Sequence, residues 1–451
     1  MKKTAAVLLA ALLTASTFTA CGSGNDSKNS STGDSSSDGK VTLTLWETAN
    51  NIDDFYKETV NDFMSKNPDI VLDTVVHEAG DGSELMSAIA SGTNPDFCSI
   101  SYSMVDRFMY ANALTDLSDR LEAWDEYDKL NKTMLDMFTL NDKCYGVLKS
   151  QYTMALYYNK KLFAEAGLSA PTTWDEWMNC AEKLTDPAKQ QYGFALSFAQ
   201  WPEWWFEMFV WGAGGELTKA EDDGTLSLTF TDPAVIEAAE FYREFKQKQV
   251  IQTDYTLQLD DLKKEFALGR AAMIIDGSDA AAMQNYVSAG MNPDDIGIAP
   301  IPAGPSGKGP ASIGGSVYVI PVNDDEKKVD AAFEYLKYNM SKDVIEKEIT
   351  NDANNGIKSY VMFGRTDIDI SQLFEVPEDV KYTLDYAAQE GNSRRETYGK
   401  AVVGTFYGQA VQDIMINDDK DIEETFKKYE EDAMKKEGPD YNQMIKDSKM
   451  E

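Results

Sequence analysis

Residues Tyr145 to Asn159 read YGVLKSQYTMALYYN. The stretch is one long extended run, largely apolar, with four Tyr. It exceeds the 3–10 residues of an ordinary strand. A run of this length can leave one sheet and enter another, so the chain is expected to build two sheets with a crossing here.

The sequence before it alternates strands and helices. VTLTLW (Val41 to Trp46) reads as a strand. Ile52, Phe55, Tyr56, Val60, Phe63 and Met64 then recur at helical spacing up to KNPD. IVLDTVV is a second strand, Ser83 to Ser91 is helical, and PDFCSIS is a third strand. Short alternation of this kind indicates a parallel α/β sheet.

After the run, Thr173 and Glu176 form a capping box in APTTWDEW. Asp232 and Pro233 open another helix as cap and first residue. RAAMIIDGS is a buried strand ending in a Gly turn. DIGIAPIPAGPSGKGPASIGGSVYVIP gives strand, Pro/Gly loop and strand. VDAAFEYLKYNM is an amphipathic helix, and from about Tyr382 the chain is mainly helical. No solenoid or propeller period is present.

The chain opens MKKTAAVLLAALLTASTFTAC. Lys2 and Lys3 precede an apolar segment, Ala5 to Leu13, and small residues Thr19 and Ala20 precede Cys21. This is a secretory signal over residues 1–20. A Cys after small residues is a site for lipid attachment, although Phe18 stands where Leu is usual. The other reading is an ordinary cleaved leader. Residues 21–40 are made of Ser, Gly, Asn and Asp and cannot bury enough apolar surface to fold, so they act as a tether. No later apolar run is long enough to span a bilayer.

The formal charge is −34, and loss of Lys2 and Lys3 takes it to −36. So negative a chain is a poor partner for nucleic acid or an anionic lipid surface, and favours a neutral or cationic ligand. Cys98 and Cys180 sit at apolar positions and read as buried thiols. A Cys144–Cys180 disulfide is the alternative for the latter. There is no CxxC and no metal-ligand spacing, so no cofactor is expected.

Catalytic patterns are weak. A Ser-His-Asp triad would have to use His77, the one His, and no GxSxG accompanies it. Carboxylate pairs for glycoside cleavage carry no signal in a chain with 76 Asp and Glu. GPSGKGP (Gly304 to Pro310) has the wrong Gly spacing for a phosphate loop. INDDKDIEE lacks the alternating ligands of a calcium loop.

Binding patterns are stronger. Strand ends carry Trp46-Glu47, Ser101-Tyr102, Gln151-Tyr152, Asp276-Gly277-Ser278 and Gly314-Gly315-Ser316. Ligands of open α/β sheets bind beyond the carboxyl ends of strands. Sugars suit such places, with flat C–H faces for aromatic rings and hydroxyl rims for polar side chains. Taken singly, such residues are more often core aromatics or strand-end polar groups, with Trp46 evenly placed between contact and core. QWPEWWFEMFVWGAGG (Gln200 to Gly215) holds four of the eight Trp. Pro202 starts a helix that runs to the glycines. Trp204, Met208 and Trp211 share one side and Trp205 and Phe209 another, so one face cannot hold all four rings. Trp211 is assigned to packing, Trp201 and Trp204 to ligand, and Trp205 stays open between the two. Trp124, Trp174 and Trp177 are assigned to packing.

With APTTWDEW, FALGRAAMIIDGS and PIPAGPSGKGPASIGGSVYVIP, the chain resembles the extracellular solute-binding proteins of family 1, the maltose and multiple-sugar class that serves ABC importers. The likeness runs in order over almost the whole body and includes TLTLW, SGTNPDFCSIS, YGVLKSQYTMALYYNKKLF and AAFEYLKYNMSKDVIEKEI.

The resemblance implies an α/β, two-lobed, periplasmic-binding-protein-like fold with a cleft between lobes. Three crossings are implied near Lys149 to Thr153, Ser312 to Ser316 and Lys358 to Gly364. One lobe would be residues 41–149 with 316–360, and the other 150–315 with 361–451. It also implies ligand contacts at Tyr102, Tyr152, Trp204 with its neighbours Trp201 and Trp205, and Asp276. Where relatives often carry a further Trp, Ser278 and Asp279 follow here, which weakens the case for a second platform. Arg395 and Tyr398 precede the late helix and are implied to reach the cleft. The implied function is a non-enzymatic, monomeric carbohydrate-binding subunit, for an oligosaccharide first and a monosaccharide or polyol next. It would be held by Cys21 at the outer membrane face of a Gram-positive cell and would dock on ABC permease subunits. A non-sugar solute such as a glycerophosphodiester or peptide, a secreted glycoside hydrolase and an adhesin are the alternatives.

Overall fold

The structure is a computed structural model describing residues 39–48, 52–77, 82–221, 225–397, 399–439, 442 and 443. The leader, Cys21, the tether up to residue 38 and Tyr398 lie outside these residues. Within the body the run Tyr145–Asn159 divides at Lys149 into two strands that join different sheets.

In chain order the strands of the two sheets are β1 (Val41–Glu47), β2 (Ile70–Val76), β3 (Phe97–Ser101), β4 (Val147–Leu148), β5 (Ser150–Asn159) and β6 (Met273–Gly277). They continue as β7 (Ile296–Ala299), β8 (Ala311–Gly314), β9 (Ser316–Val319), β10 (Met362–Phe363) and β11 (Ser393–Arg394). The first sheet has the order β2-β1-β3-β9-β4. In the second, the order is β6-β5-β8-β11, with β7 and β10 also paired to β5.

The expectation of a parallel sheet holds only for β1, β2 and β3. There helices α1 (Asp54–Lys66) and α2 (Ser83–Ser91) supply the crossovers that parallel neighbours need. β9 and β4 enter the same sheet antiparallel, and β5 is antiparallel to each of its partners. β5 and β9 each arrive directly from a strand of the other sheet, without a helix between.

The chain passes between sheets twice along adjacent extended segments, at β4–β5 and at β8–β9. Gly314 pairs with Tyr152, and a Cβ added to it would lie 2.1 Å from that phenol ring. A Cβ on Gly315 would lie 2.5 Å from the Ser150 carbonyl oxygen. No side chain fits where the two segments touch. A third passage follows helix α10 (Lys342–Asn354): Ile357 and Tyr360 pack with the second sheet, and the Gly364 amide then donates to the Lys149 carbonyl at 2.8 Å.

The remaining helices used below are α3 (Val105–Tyr110), α4 (Trp174–Lys183), α5 (Pro202–Ala213), α6 (Pro233–Gln247), α7 (Leu259–Ala267), α8 (Ala280–Ser288), α9 (Glu326–Asn339), α11 (Glu378–Ala387) and α12 (Lys400–Ile416). Thr173 caps α4 by accepting from the Glu176 amide at 3.3 Å. Glu176 reaches back one residue further than a capping box requires and accepts from the amide of Thr172 at 2.8 Å. Asp232 occupies the cap position of α6, but its side chain makes no cap bond.

The core beside the second sheet is aromatic. Trp177, Phe206 and Tyr242 are wholly buried, and Trp174 stacks on Phe241 at 4.1 Å. Burying such rings stabilises the fold by about 1.5–3 kcal/mol each. Trp124, Trp174, Trp177 and Trp211 are all buried. Cys98, Cys144 and Cys180 are buried and free, so the Cys144–Cys180 disulfide is not formed. Among the described residues no helix is long and apolar enough to cross a membrane, and no acidic, His and Cys group could hold a metal.

Candidate functional site

Parallel pairing sets the carboxyl end of β1 beside the start of β3, with Trp46 opposite Cys98 in the register, and β3 runs on to Ser101. Antiparallel β9 places its first residue, Ser316, opposite Ser101. Lys149 leaves β4 at the same edge. Trp46, Glu47, Ser316 and Lys149 therefore gather at one end of the first sheet. Facing them from the second sheet are Tyr152 of β5 and the first turn of α8, with Asp279 and Gln284. Between the two groups lies a cavity of ≈ 910 Å³. Gly315 also lines it.

Trp46 is half-buried and stacks on His77, with ring centroids 3.6 Å apart and planes 6° from parallel. One indole face is thereby held. Tyr152 is pushed above the ordinary phenol range by burial and then by the negative charge of Asp279. Asp279 caps α8, accepting from the Ala282 amide at 3.4 Å. Burial, followed by repulsion from Asp276, raises it to about 6, against the attraction of Lys263. Asp352 of α10 is also raised to about 6, first by burial and then by Glu348. Burial opposes the charge on Lys149, but its ion pair with Glu348 outweighs burial, and the ammonium stays above the usual lysine range.

Asp276 and Ser278 do not line this cavity; both point inward. Asp276 is paired with Lys263 of α7 at 3.1 Å and accepts from the Tyr286 hydroxyl at 2.7 Å. Ser278 exchanges bonds with Thr153: its amide donates to the Thr153 carbonyl at 2.9 Å, and its hydroxyl accepts from the Thr153 amide at 3.1 Å. These residues fix the loop that presents Asp279.

A second group of the expected residues surrounds α5. Pro202 begins this helix and Gly214, at φ 88°, ends it. Trp201 is the cap residue and adopts left-handed backbone, φ 48° and ψ 48°. That conformation costs a non-glycine residue about 1–2 kcal/mol. Its ring is nevertheless 52% exposed. Trp204 is half-buried and meets Trp205 edge-on at 5.0 Å. Trp205 is core, and its indole N–H donates to the Gln200 carbonyl at 3.1 Å.

One turn beyond Trp204, the carboxylate of Glu207 is wholly buried. Burial raises it above the ordinary glutamate range, against the attraction of Lys400. The Lys400 ammonium lies 3.6 Å from Glu207, 2.8 Å from Glu396 and 5.9 Å from the centre of the Trp204 ring. Tyr102 is buried at the end of β3, and its hydroxyl accepts from the Glu396 amide at 3.3 Å. Arg395 pairs with Asp106 of α3 at 3.5 Å. The segment before α12 thus bonds at once to the first sheet's helices and to α5.

Sequence reasoning passed over Asp279, Lys149, Glu348, Asp352, Glu207 and Lys400. Asp279 was legible as the Asp before the helical AAAMQNYVS, and Glu348 and Asp352 as an i, i+4 pair on one helix face. Glu207 and Lys400 gave no such signal.

This arrangement is a lined cavity with aromatic faces and polar rims. A family model for bacterial extracellular solute-binding proteins matches residues 49–345. The chain belongs to this family. Among related solute-binding proteins, the multiple sugar-binding protein of Streptococcus mutans is 30% identical over 170 residues, 38% of this chain and 39% of that one. The maltodextrin-binding protein of Bacillus subtilis is 26% identical over 369 residues, 78% of each chain. The solute-binding protein of Thermotoga lettingae, solved with α-D-tagatose, matches with a TM-score of 0.74 at 22% identity, covering 90% of this chain and all of that one. That of Agrobacterium radiobacter, solved with ribitol, matches with a TM-score of 0.71 at 20% identity, covering 88% and 98%. The fold is therefore that of the solute-binding proteins of ABC importers.

Proposed function

We propose that this solute-binding protein captures a carbohydrate, an oligosaccharide first of all, and delivers it to ABC permease subunits. The observation that carries this reading is the cavity bounded by both sheets, where Trp46 and Tyr152 offer ring surface and Glu47, Ser316, Asp279 and Gln284 offer hydrogen-bonding groups. Rings suit the C–H faces of a sugar, and the polar groups suit its hydroxyls. Trp204, with the exposed Trp201 beside it, extends the same chemistry along α5.

Residues 41–149 with 316–360 form one lobe in this reading, and 150–315 with 361–451 the other. Ligand bridging them stabilises the closed form, since that form alone offers contacts from both sides. Cys21 carries the lipid, residues 21–40 are the tether, and a monomer works at the outer face of a Gram-positive membrane. Its role is binding, without catalysis.

A polyol is the second reading, favoured by the fold shared with the ribitol-bound protein. A thermal-shift panel of oligosaccharides, monosaccharides and polyols tests both, because a ligand bound by the native state alone raises the melting temperature. Oligosaccharides should give the largest shifts. A shift with polyols alone would replace the first reading by the second, and a shift with peptides alone would end both.

A further inference from the structure

The cavity is lined by the carboxylates of Glu47, Asp53, Asp260, Asp279, Glu348 and Asp352, and among the described residues by one cation, Lys149. Lys149 is already engaged with Glu348. Helix N-termini offset part of this charge, since Asp53 and Asp279 are caps and Asp260 lies in a first turn. Asp352 has the opposite setting. It falls in the last turn of α10, where the helix end is itself negative.

Asp279 is the most telling of the six. Lys263, whose charge attracts it, is paired with Asp276 at 3.1 Å. Among the described residues no Lys, Arg or His forms an ion pair with Asp279. In the cap of α8 it accepts from the Ala282 amide through a long contact of 3.4 Å. It stands against Tyr152, whose ring packs on Gly277 just before it. Its elevated titration point, about 6, is what an uncompensated acid in a confined space should show. A neutral sugar could donate its hydroxyls to these carboxylates, but would leave their mutual repulsion in place.

Resting on the carbohydrate reading above, we infer that the preferred ligand is an aminated carbohydrate, whose ammonium group sits beside Asp279 with Tyr152 at its flank. The amine supplies the cation the cavity lacks, and its hydrogen bond to a carboxylate is of the charge-assisted kind. Anionic sugars, phosphorylated or uronic, are excluded by the same charge.

The test compares matched sugars by titration calorimetry and thermal shift near neutral pH: the β-1,4-glucosamine trimer against cellotriose and against its N-acetylated form, with spermidine as a cation without a sugar. The amine-bearing member of a pair should bind about tenfold tighter or more. Asp279→Asn should remove most of that advantage, lowering affinity for the aminated member much more than for the neutral one. Neutral members binding as well as their aminated partners would overturn the inference while the carbohydrate reading stands. So would an amine advantage that survives in Asp279→Asn. Spermidine binding with no response to any sugar would end the carbohydrate reading, and the aminated-sugar ligand with it. Circular dichroism of Asp279→Asn guards against a folding defect. Should that variant misfold, the wild-type comparison of aminated with N-acetylated trimer decides alone.

Discussion

The Trp46 indole and the His77 imidazole lie face to face, 3.6 Å apart and 6° from parallel, where β1 and β2 end side by side. The imidazole covers one face of an indole that lines the cavity. Such a stack contributes about 0.5–1.5 kcal/mol beyond burial. His77→Ala is expected to weaken ligand binding by about 2–10-fold, through loss of a positioned ring, with little change in unfolding free energy. Titration calorimetry alongside urea denaturation checks this. A large stability loss with unchanged affinity would assign the stack to packing.

Trp201 combines left-handed backbone with an exposed ring, so stability gains little from its side chain. Trp201→Gly should raise unfolding free energy by about 1 kcal/mol, since glycine adopts this conformation without strain. The same change should lower sugar affinity if the ring contacts ligand. Opposite signs in denaturation and binding would mark strain kept for function. Unchanged affinity would remove Trp201 from the site.

Trp204 and Trp211 lie two helical turns apart and should respond differently. Trp204 is half-buried with one edge against Trp205, whereas Trp211 is wholly core and faces the Arg394 guanidinium at 4.6 Å. Trp211→Ala should cost about 3–5 kcal/mol. Trp204→Ala should cost less than half of that and reduce sugar affinity about tenfold or more. Equal destabilisation by the two would place Trp204 in the core.

Asp279 gives a pH signature of definite sign. Its folded value, about 6, lies above the ordinary 3.8, so the folded state binds the proton more tightly than the unfolded one. The native state is therefore favoured below about 4, and this contribution is lost as pH rises through about 6. The charges facing it are Asp276, which raises its pKa, and Lys263, which lowers it. Asp279→Asn should be more stable than the wild type above pH about 6, with the difference shrinking toward pH 4. Denaturation curves across that window decide it, and a difference independent of pH would show that Asp279 is not strained by its charge.

Lys263 and Asp276 are a buried pair, each nearly closed to solvent. Lys263→Met leaves an unpaired carboxylate in the core and should destabilise by about 3–5 kcal/mol. The double variant Lys263→Met with Asp276→Leu should recover much of this. Recovery measured by denaturation would show the pair to be scaffolding for the Asp279 loop.

The path of the chain was legible because local signals agreed with it. The length of Tyr145–Asn159 announced a crossing, and Pro202 and Gly214 bounded α5. The mismatch between four Trp rings and one helix face correctly separated Trp211 from the surface. Legibility failed where side chains from distant elements decide direction. Asp276 looked like a strand-end ligand group, but Lys263 from another helix draws it inward. Glu348 reaches Lys149 across 199 positions of sequence, and no local pattern predicts that meeting. The antiparallel pairing of β5 was also hidden, since strand direction depends on how the chain arrives and not on composition.

The glycines at the crossings join two tasks of the molecule. Gly314 and Gly315 put bare backbone against the Tyr152 ring and the Ser150 carbonyl where two segments cross. Tyr152 also lines the cavity, so one phenol belongs to the joint and to the lining. Under the proposed closure, a solute that touches this ring presses on the joint itself. Exchanging Tyr152 would then alter what is carried and how the molecule turns in a single step.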